Sequence, residues 1–145
     1  MTVHLIKLAA GIDDVEALAA LQNARMEEAR AQGQAPYPRH YTRYMPRRKS
    51  QVLDGGSIYW VIRGAVRARN RIVALETYRD EEGVERCLIV VDPHLIRTRV
   101  TGHRAFQGWR YLEPAKAPPD FGDGDRVDDD MPPELARELD DLGLV

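Results

Sequence analysis

The feature that most constrains the fold is the density of β-forming sequence between residues 57 and 92. Three stretches in this region are rich in β-branched and aromatic residues, which are typical of strands: SIYWVIR (57–63), VRARNRIVALETY (66–78) and CLIVVD (87–92). Gly64 separates the first two stretches, and Gly83 lies in a polar segment suited to the positive φ of a tight turn. The sequence therefore predicts a strand over 57–63 and a β-hairpin over 71–92. Shorter strands are expected at 3–8, 95–100 and 108–112.

A helix is predicted between the first strand and this region. Asp13 is a suitable N-cap residue, and Glu16 follows three residues later, where a capping box requires it. Gly33 is a natural stop at the carboxyl end.

Three prolines follow this helix, at positions 36, 38 and 46. Because a residue before proline is pushed out of the helical region, residues 37–45 are expected to be extended or looped. Pro46 also favours a short helical turn over 47–53 that Gly55 and Gly56 would end.

The order of these elements favours an α+β fold: a small, bent, mostly antiparallel β-barrel with an N-terminal helix and a C-terminal helix. Long helices do not alternate with the strands, which argues against a doubly wound parallel sheet. We predict a domain over 1–113, an acidic linker rich in Pro, Gly and Asp over 114–131, and a helix over 132–145. Leucines at 135, 139 and 142 in that helix would dock on the domain or on a partner.

Charge divides the chain into sectors although its net charge is only −2. Residues 36–110 hold fifteen basic and seven acidic side chains, a net of +8, whereas residues 113–145 hold three basic and eleven acidic, a net of −8. No apolar run approaches the roughly 20 residues that a bilayer requires, and the amino terminus does not resemble a signal peptide. With a single cysteine, the composition favours a cytoplasmic protein without a membrane partner.

Motifs of catalysis and metal binding are missing or incomplete. The stretch GGSIY (55–59) lacks the second glycine of a nucleophile elbow, and the sequence contains no P-loop or dinucleotide pattern. The four histidines have no metal-ligand spacing, and Cys87 within CLIVV is expected to be a core residue. Residues 123–134 partly match a calcium loop but have Asp128 where the turn requires glycine. We therefore expect no cofactor and no metal.

The basic and aromatic residues of the middle sector are the strongest functional signal. Arginine predominates, and its planar guanidinium binds phosphate through two hydrogen bonds and stacks on bases. In VRARNRI the arginines recur at every second position, so a strand would project them from one face. Aromatic rings offer surfaces for base stacking. The candidate nucleic-acid-binding residues are Arg43, Arg47, Arg48, Lys49, Arg67, Arg69, Arg71, Tyr41, Tyr44 and Trp109.

Several stretches resemble the family called domain of unknown function 1489: HLIKL (4–8), MPRR (45–48), LDGGSIYWVIRG (53–64), VVDP (90–93) and AFQGWRYL (105–112). This resemblance implies no activity. The segments GGSIYWVIR, RNRIVALE and VVDPHLIRTRV are also distantly similar to strands of PUA-like domains, including the EVE, YTH and ASCH groups. That similarity implies a small bent barrel that binds RNA or modified bases. The chain departs from the PUA-like pattern at Ser57, where Asp is usual.

We therefore expect a non-catalytic module that binds RNA or a modified base. The cations at 43 and 47–49 would hold phosphates, and the arginines at 67, 69 and 71 would line one sheet face. One ring of Tyr41, Tyr44 or Trp109 would stack on a base in a pocket beside the barrel.

Other functions remain open on the sequence alone. The arginines could instead pair with the acidic tail in an interaction or regulatory protein, including a homodimer, and the tail could compete with nucleic acid for the basic sector. An enzyme would require a histidine and a carboxylate to converge in a pocket.

Overall fold

A seven-stranded sheet carries most of the described chain, which is residues 1–104 and 106–121 of a computed structural model. The elements in chain order are β1 (His4–Leu8), α1 (Val15–Ala31), β2 (Arg39–Thr42), α2 (Lys49–Val52), β3 (Ser57–Ile62), β4 (Ala65–Arg79), β5 (Glu85–Val91), β6 (Ile96–Gly102) and β7 (Trp109–Leu112), followed by a 3-10 turn at Pro114–Lys116. The strand order is β2-β5-β4-β3-β1-β7, and β6 pairs with the first half of β4. The β1–β3 pairing is parallel and the other strand pairings are antiparallel. The predicted mixture of helices with a mostly antiparallel sheet is confirmed.

The fifteen-residue strand β4 is the centre of this sheet. Its first half pairs with β3 and β6, and its second half pairs with β5 after an irregularity between Ile72 and Ala74. The predicted hairpin over 71–92 is confirmed, with Gly83 at φ +78° in its turn. A second tight turn joins β3 to β4 through Arg63 and Gly64, both at positive φ, which matches the right-handed twist of the strands.

Strand β3 is buried along its whole length because the sheet is covered on both faces. Ile58, Trp60 and Ile62 lie in the larger core cluster with Leu18 of α1. Tyr59 and Val61 point to the opposite face, into a smaller cluster. This two-sided burial explains why SIYWVI is apolar without alternation.

The sheet is not closed, so the prediction of a β-barrel is wrong. Strands β2 and β7 end the sheet path, and neither pairs with the other in the described chain. Side-chain contact brings them close instead: the Trp109 indole N–H donates to the carbonyl of Tyr44, just after β2, at 2.9 Å. In a flat sheet the first and last of six strands would lie about 24 Å apart, so the sheet is strongly curved. Each end strand has only four residues, which leaves a gap between them.

The helix boundaries differ from the prediction by one residue at the amino end. The N-cap is Asp14 rather than Asp13, because the Asp14 carboxylate accepts a hydrogen bond from the Ala17 N–H at 2.7 Å. Gly33 has φ +74° just beyond the helix, as predicted. The segment expected to be extended or looped contains strand β2, and the expected helical turn after Pro46 is α2.

The predicted C-terminal helix (132–145), most of the linker and the calcium-like spacing at 123–134 lie outside the described residues. The described start of the linker packs along β6. There the Arg99 N–H donates to the Pro119 carbonyl and the Phe121 N–H donates to the Arg97 carbonyl, each at 2.9 Å. Neither helix of the described chain has the length and apolarity needed to cross a membrane.

Gly56, at the start of β3, is required by a close approach of backbone. A Cβ at this position would overlap the carbonyl oxygens of Val3 and Val52. We expect Gly56→Ala to lower the free energy of unfolding by at least about 3 kcal/mol, because backbone atoms cannot move aside cheaply. Gly83→Ala is the control, since its Cβ would meet nothing within 4 Å and only the positive φ would cost about 1 kcal/mol. Equal losses for the two variants in urea denaturation would contradict this account of Gly56.

Candidate nucleic-acid interface

A cavity of about 590 Å³, called here the outer cavity, lies between the segment that contains β2 and the strand β7. Its lining residues are Lys7, Tyr41, Thr42, Arg43, Tyr44, Gln107, Gly108 and Trp109. Three aromatic rings and two cations therefore face one concave space that has no carboxylate among these lining residues. The volume lies within the range of roughly 300–1,000 Å³ that is typical of ligand pockets.

The three aromatic rings of the outer cavity differ in the contacts that hold them. Trp109 is fixed by its hydrogen bond to the Tyr44 carbonyl and by an edge contact with Tyr111, with ring centroids 4.9 Å apart. Tyr41 packs edge-on against Tyr78 at 5.3 Å. Tyr44 is 67% exposed, and the Arg43 guanidinium lies 5.7 Å from its ring centroid. A rigid indole thus stands near an exposed phenol, which is suitable for stacking with a planar ligand.

A smaller cavity of about 170 Å³, called here the inner cavity, shares Lys7 and Tyr41 with the outer cavity. Its other polar lining comes from Arg25 and His40, and Trp60 forms part of its wall. Lys7 of β1 is in register with Trp60 on one neighbouring strand and with Trp109 on the other. Because residues directly opposite in a sheet project from the same face, Lys7 and both tryptophans lie in one row across three strands.

A buried network centred on Asn70 of β4 lies behind the inner cavity. Asn70 is fully buried, and its Oδ1 accepts hydrogen bonds from the Trp60 indole N–H and from Gln22 Nε2, each at 2.9 Å. Its Nδ2 donates to Gln22 Oε1 at 3.1 Å and to the Asp92 carbonyl at 3.0 Å. Since an indole N–H can only donate, Trp60 determines the orientation of the Asn70 amide, which in turn determines that of Gln22.

His40 is held neutral by this network. Gln22 Nε2 lies 3.1 Å from His40 Nε2, and Arg25 Nη1 lies 3.0 Å from Nδ1. A guanidinium can only donate, so Nδ1 accepts from Arg25, and the second N–H of an imidazolium would point at this donor. Burial, followed by the charges of Arg25 and Lys7, lowers the pKa of His40 to about 3. The ring also packs on Trp60 with centroids 4.6 Å apart.

The inner cavity also carries two cations that are partly withdrawn from water. Burial lowers the pKa of Lys7 from its ordinary value. Arg25 donates from Nη1 to the Arg39 carbonyl at 2.8 Å, and its guanidinium lies 5.8 Å from the Tyr41 ring centroid. Neither Lys7 nor Arg25 forms an ion pair within the described residues.

The predicted site residues separate into two groups. The outer cavity brings together Tyr41, Arg43, Tyr44 and Trp109, which come from segments about 65 residues apart in the chain. The other six predicted residues are absent from the lining of both cavities: Arg47, Arg48, Lys49, Arg67, Arg69 and Arg71.

The arginine row, defined as Arg67, Arg69 and Arg71, lies on the sheet face opposite the cavities. Its alternation with buried Ala68 and Asn70 follows the predicted period of two. Register places Arg69 opposite Tyr59, on the face away from Trp60.

Part of the arginine row is engaged within the protein. Arg69 binds both carboxylate oxygens of Asp120 at 2.8 and 2.9 Å and donates to the Ser57 hydroxyl. This pairing lowers the pKa of Asp120. Arg67 donates to the carbonyls of Ile62 and Arg63 in the β3–β4 turn.

Arg48 is also engaged by an acid from the tail side of the chain. It pairs with Glu113 at 3.0 Å, and its guanidinium lies 5.2 Å from the Tyr111 ring centroid. Arg47 and Lys49 are exposed beside it. The acids at 113 and 120 therefore compensate two of the cations that were predicted to bind nucleic acid.

The expected core role of Cys87 is confirmed. The side chain is fully buried, and burial raises the pKa of its thiol to about 11, which disfavours the reactive thiolate. Across residues 1–104 and 106–121, no group of three or more His, Cys, Asp or Glu side chains is arranged to hold a metal ion.

Sequence reasoning missed four residues of the site: Lys7, Arg25, His40 and Asn70. Two of them carried a usable signal. Lys7 occupies an inward position of an otherwise apolar strand, and Asn70 occupies an apolar-phase position of β4. Arg25 and His40 carried no signal, because their partners are 14 or more residues away in the chain.

The comparison with protein families gives one match, and it covers nearly the whole chain. A family model described as Protein of unknown function (DUF1489) matches residues 5–145. No curated protein and no solved structure matches the chain.

The low pKa of His40 predicts a specific dependence of stability on pH. The native ring takes up a proton only near pH 3, whereas the ordinary value is 6.5, so the unfolded state binds more protons between these values. Neutral His40 therefore contributes to the free energy of unfolding above pH 6.5. This contribution is lost as the pH falls toward 3, by up to about 1.4 kcal/mol per pH unit. His40→Asn should be less stable than wild type at pH 7, and the difference should shrink by about 2–3 kcal/mol at pH 4.

Urea denaturation at both pH values measures this difference. His94→Asn, at an exposed turn position, controls for the loss of one histidine. A difference between wild type and His40→Asn that is the same at pH 7 and pH 4 would contradict the account.

Proposed function

The chain belongs to the DUF1489 family of proteins of unknown function, and we propose that it is a non-catalytic module that binds single-stranded RNA or a modified base at the outer cavity. The observation that carries this proposal is the convergence of Tyr41, Tyr44 and Trp109 with Arg43 and Lys7 around one cavity of about 590 Å³. Aromatic faces bind bases of any sequence, and arginine and lysine bind phosphates.

The concave shape favours an unpaired base over a duplex. A base inside a helix cannot reach between the Tyr44 and Trp109 rings, whereas a base in a single strand or an extruded base can. The exposed Tyr44 ring and the fixed Trp109 indole then provide the stacking surfaces.

The cationic lining continues beyond the two cavities. A third cavity of about 70 Å³ lies beside Tyr41 and is lined by Arg25 and Arg39, together with Glu28. Tyr41 therefore borders three neighbouring depressions, and cations occur in each of them. Such a series supplies cations for the phosphates of a strand that is bound beside Tyr41.

We include the PUA-like similarity in this proposal because the sheet is strongly curved. In the described chain the cavity lies between the two ends of a curved sheet rather than in a closed barrel. We propose binding rather than catalysis because Nδ1 of His40, the histidine of the inner cavity, faces the donor-only Arg25 guanidinium, and no carboxylate lies beside it in the lining.

A second candidate function has support from two ion pairs. Asp120 binds Arg69, and Glu113 binds Arg48, so acids at the start of the tail already contact the basic sector. We propose as the alternative that the arginine row is an interaction surface for the acidic tail, of this chain or of a second copy. In this alternative the tail competes with nucleic acid for the arginines.

Stacking at the outer cavity predicts a strong effect of Tyr44. Tyr44→Ala should weaken binding of a fluorescent single-stranded octanucleotide by about 5- to 150-fold, because a stacked base contributes roughly 1–3 kcal/mol. Tyr37→Ala is the matched control, since Tyr37 is also an exposed tyrosine of this segment but lines neither cavity. Fluorescence anisotropy measures both, and equal affinities of the two variants would refute base stacking on Tyr44.

Removing single positive charges distinguishes binding of nucleic acid at the outer cavity from binding on the arginine row. Arg43→Gln should weaken binding and reduce the slope of log K against log salt by about 0.7, whereas Arg71→Gln should have little effect. The opposite ranking would place the nucleic acid on the arginine row. Asp120→Ala adds a third comparison: unchanged affinity agrees with the outer cavity, and tighter binding supports competition by the acidic tail.

A further inference from the structure

The inner cavity combines two cations with no compensating acid. Its polar lining consists of Lys7, Arg25, His40 and Tyr41, and it includes no Asp or Glu. Other arginines of this protein, such as Arg48 and Arg69, are paired with carboxylates. Within the described residues neither Lys7 nor Arg25 forms an ion pair, although Glu28 lines the third cavity together with Arg25.

The partial burial of the charged Lys7 side chain is unfavourable, and a bound anion would offset this free-energy cost. Its ammonium is partly withdrawn from water, and burial lowers its pKa. A charge without a nearby partner in such surroundings is unfavourable, and charged groups in these positions are frequently parts of binding sites. Both cations also act on the cavity wall, since burial and then the charges of Arg25 and Lys7 lower the pKa of His40.

Arg25 is positioned to donate into this space. Its hydrogen bonds within the described chain use Nη1, which contacts the Arg39 carbonyl and His40 Nδ1. A guanidinium has five N–H groups, so those of Nε and Nη2 remain for a ligand. Nε and one Nη nitrogen form the fork that binds two oxygens of a phosphate.

The rest of the lining limits what the anion can be. Leu18 and Leu21 of α1 and Ile12 form an apolar part of the inner cavity, so a sugar–phosphate backbone that continued into this part would find no polar contacts there. A phosphate at the end of a strand needs no such continuation. The inner cavity, at about 170 Å³, has room for a phosphate group, and the outer cavity, at about 590 Å³, has room for a base.

We infer that the inner cavity is a phosphate site, in which Lys7 and Arg25 bind the terminal phosphate monoester of a strand whose neighbouring base lies in the outer cavity. The inference rests on the proposed function and adds to it the end of the strand as the feature that is recognised. Lys7 and Tyr41 line both cavities and thereby join the two parts of the site.

The test uses the full chain and one single-stranded RNA octanucleotide with an internal fluorophore. Three forms of this RNA are compared at 0.15 M salt, on the order of physiological ionic strength: both ends hydroxyl, a 5′-phosphate, and a 3′-phosphate. We expect one phosphorylated form to bind at least about tenfold tighter than the hydroxyl form, because hydrogen bonds between charged groups are strong. The form that is preferred identifies the end of the strand.

Substitutions in the inner cavity test whether Lys7 and Arg25 cause the preference for a terminal phosphate. Lys7→Met and Arg25→Gln should each reduce the preference for the phosphorylated strand to within about twofold, since charge-assisted bonds are lost. Lys116→Met, at an exposed position outside both cavities, should retain the preference. Thermal melting checks that each variant is folded, and Arg25→Gln on the helix decides the question if Lys7→Met does not fold.

Three outcomes would overturn the inference, and they differ in what else they imply. Equal binding of all three forms would exclude a terminal-phosphate site and leave the proposed nucleic-acid function intact. A preference that persists in both Lys7→Met and Arg25→Gln would place the phosphate elsewhere. Failure of every form to bind would refute the proposed function, and the inference with it.

Discussion

The way in which helix α1, the sheet and the turn after β5 pack together depends on one buried side chain, the amide of Asn70. It accepts from Trp60 on β3, exchanges two hydrogen bonds with Gln22 on α1, and donates to the Asp92 carbonyl after β5. A fully buried amide without these partners would cost several kcal/mol, so the helix, the sheet and the turn must meet in one geometry. Because Gln22 also contacts His40, the same amide fixes the wall of the inner cavity.

The curved but unclosed sheet determines where the outer cavity lies. Strands β2 and β7 approach each other through Trp109 and Tyr44 without pairing, and the outer cavity lies between them. The two faces of the sheet also differ in charge balance. The cations of the inner and outer cavities have no acid in the lining of these two cavities, whereas Arg69 on the opposite face is bound by Asp120. The charge of the middle sector is thus spread over two surfaces with different chemistry.

Local patterns predicted most of the elements, but β2 was expected only as an extended or looped segment. They did not show whether the sheet closes or how the site is assembled. The tight turn at Gly83, the helix stop at Gly33 and the period-two arginine row follow from residues within a few positions of one another. The barrel prediction failed because closure depends on pairing between β2 and β7, strands about 70 residues apart. Tyr41, Tyr44 and Trp109 were predicted as stacking residues from their type. Their convergence with Lys7, which sequence reasoning missed, depends on the register of β1 between β3 and β7.

The central claim is that nucleic acid binds beside Trp109 and not on the arginine row, and the two tryptophans of the chain allow a direct measurement. Their indole N–H groups give two NMR signals, one from Trp109 at the outer cavity and one from Trp60, bonded to Asn70 in the core. Titration with single-stranded RNA should shift the Trp109 signal strongly in proportion to saturation and the Trp60 signal much less. Saturable binding that leaves the Trp109 indole unchanged while backbone signals of residues 67–71 shift would contradict the account.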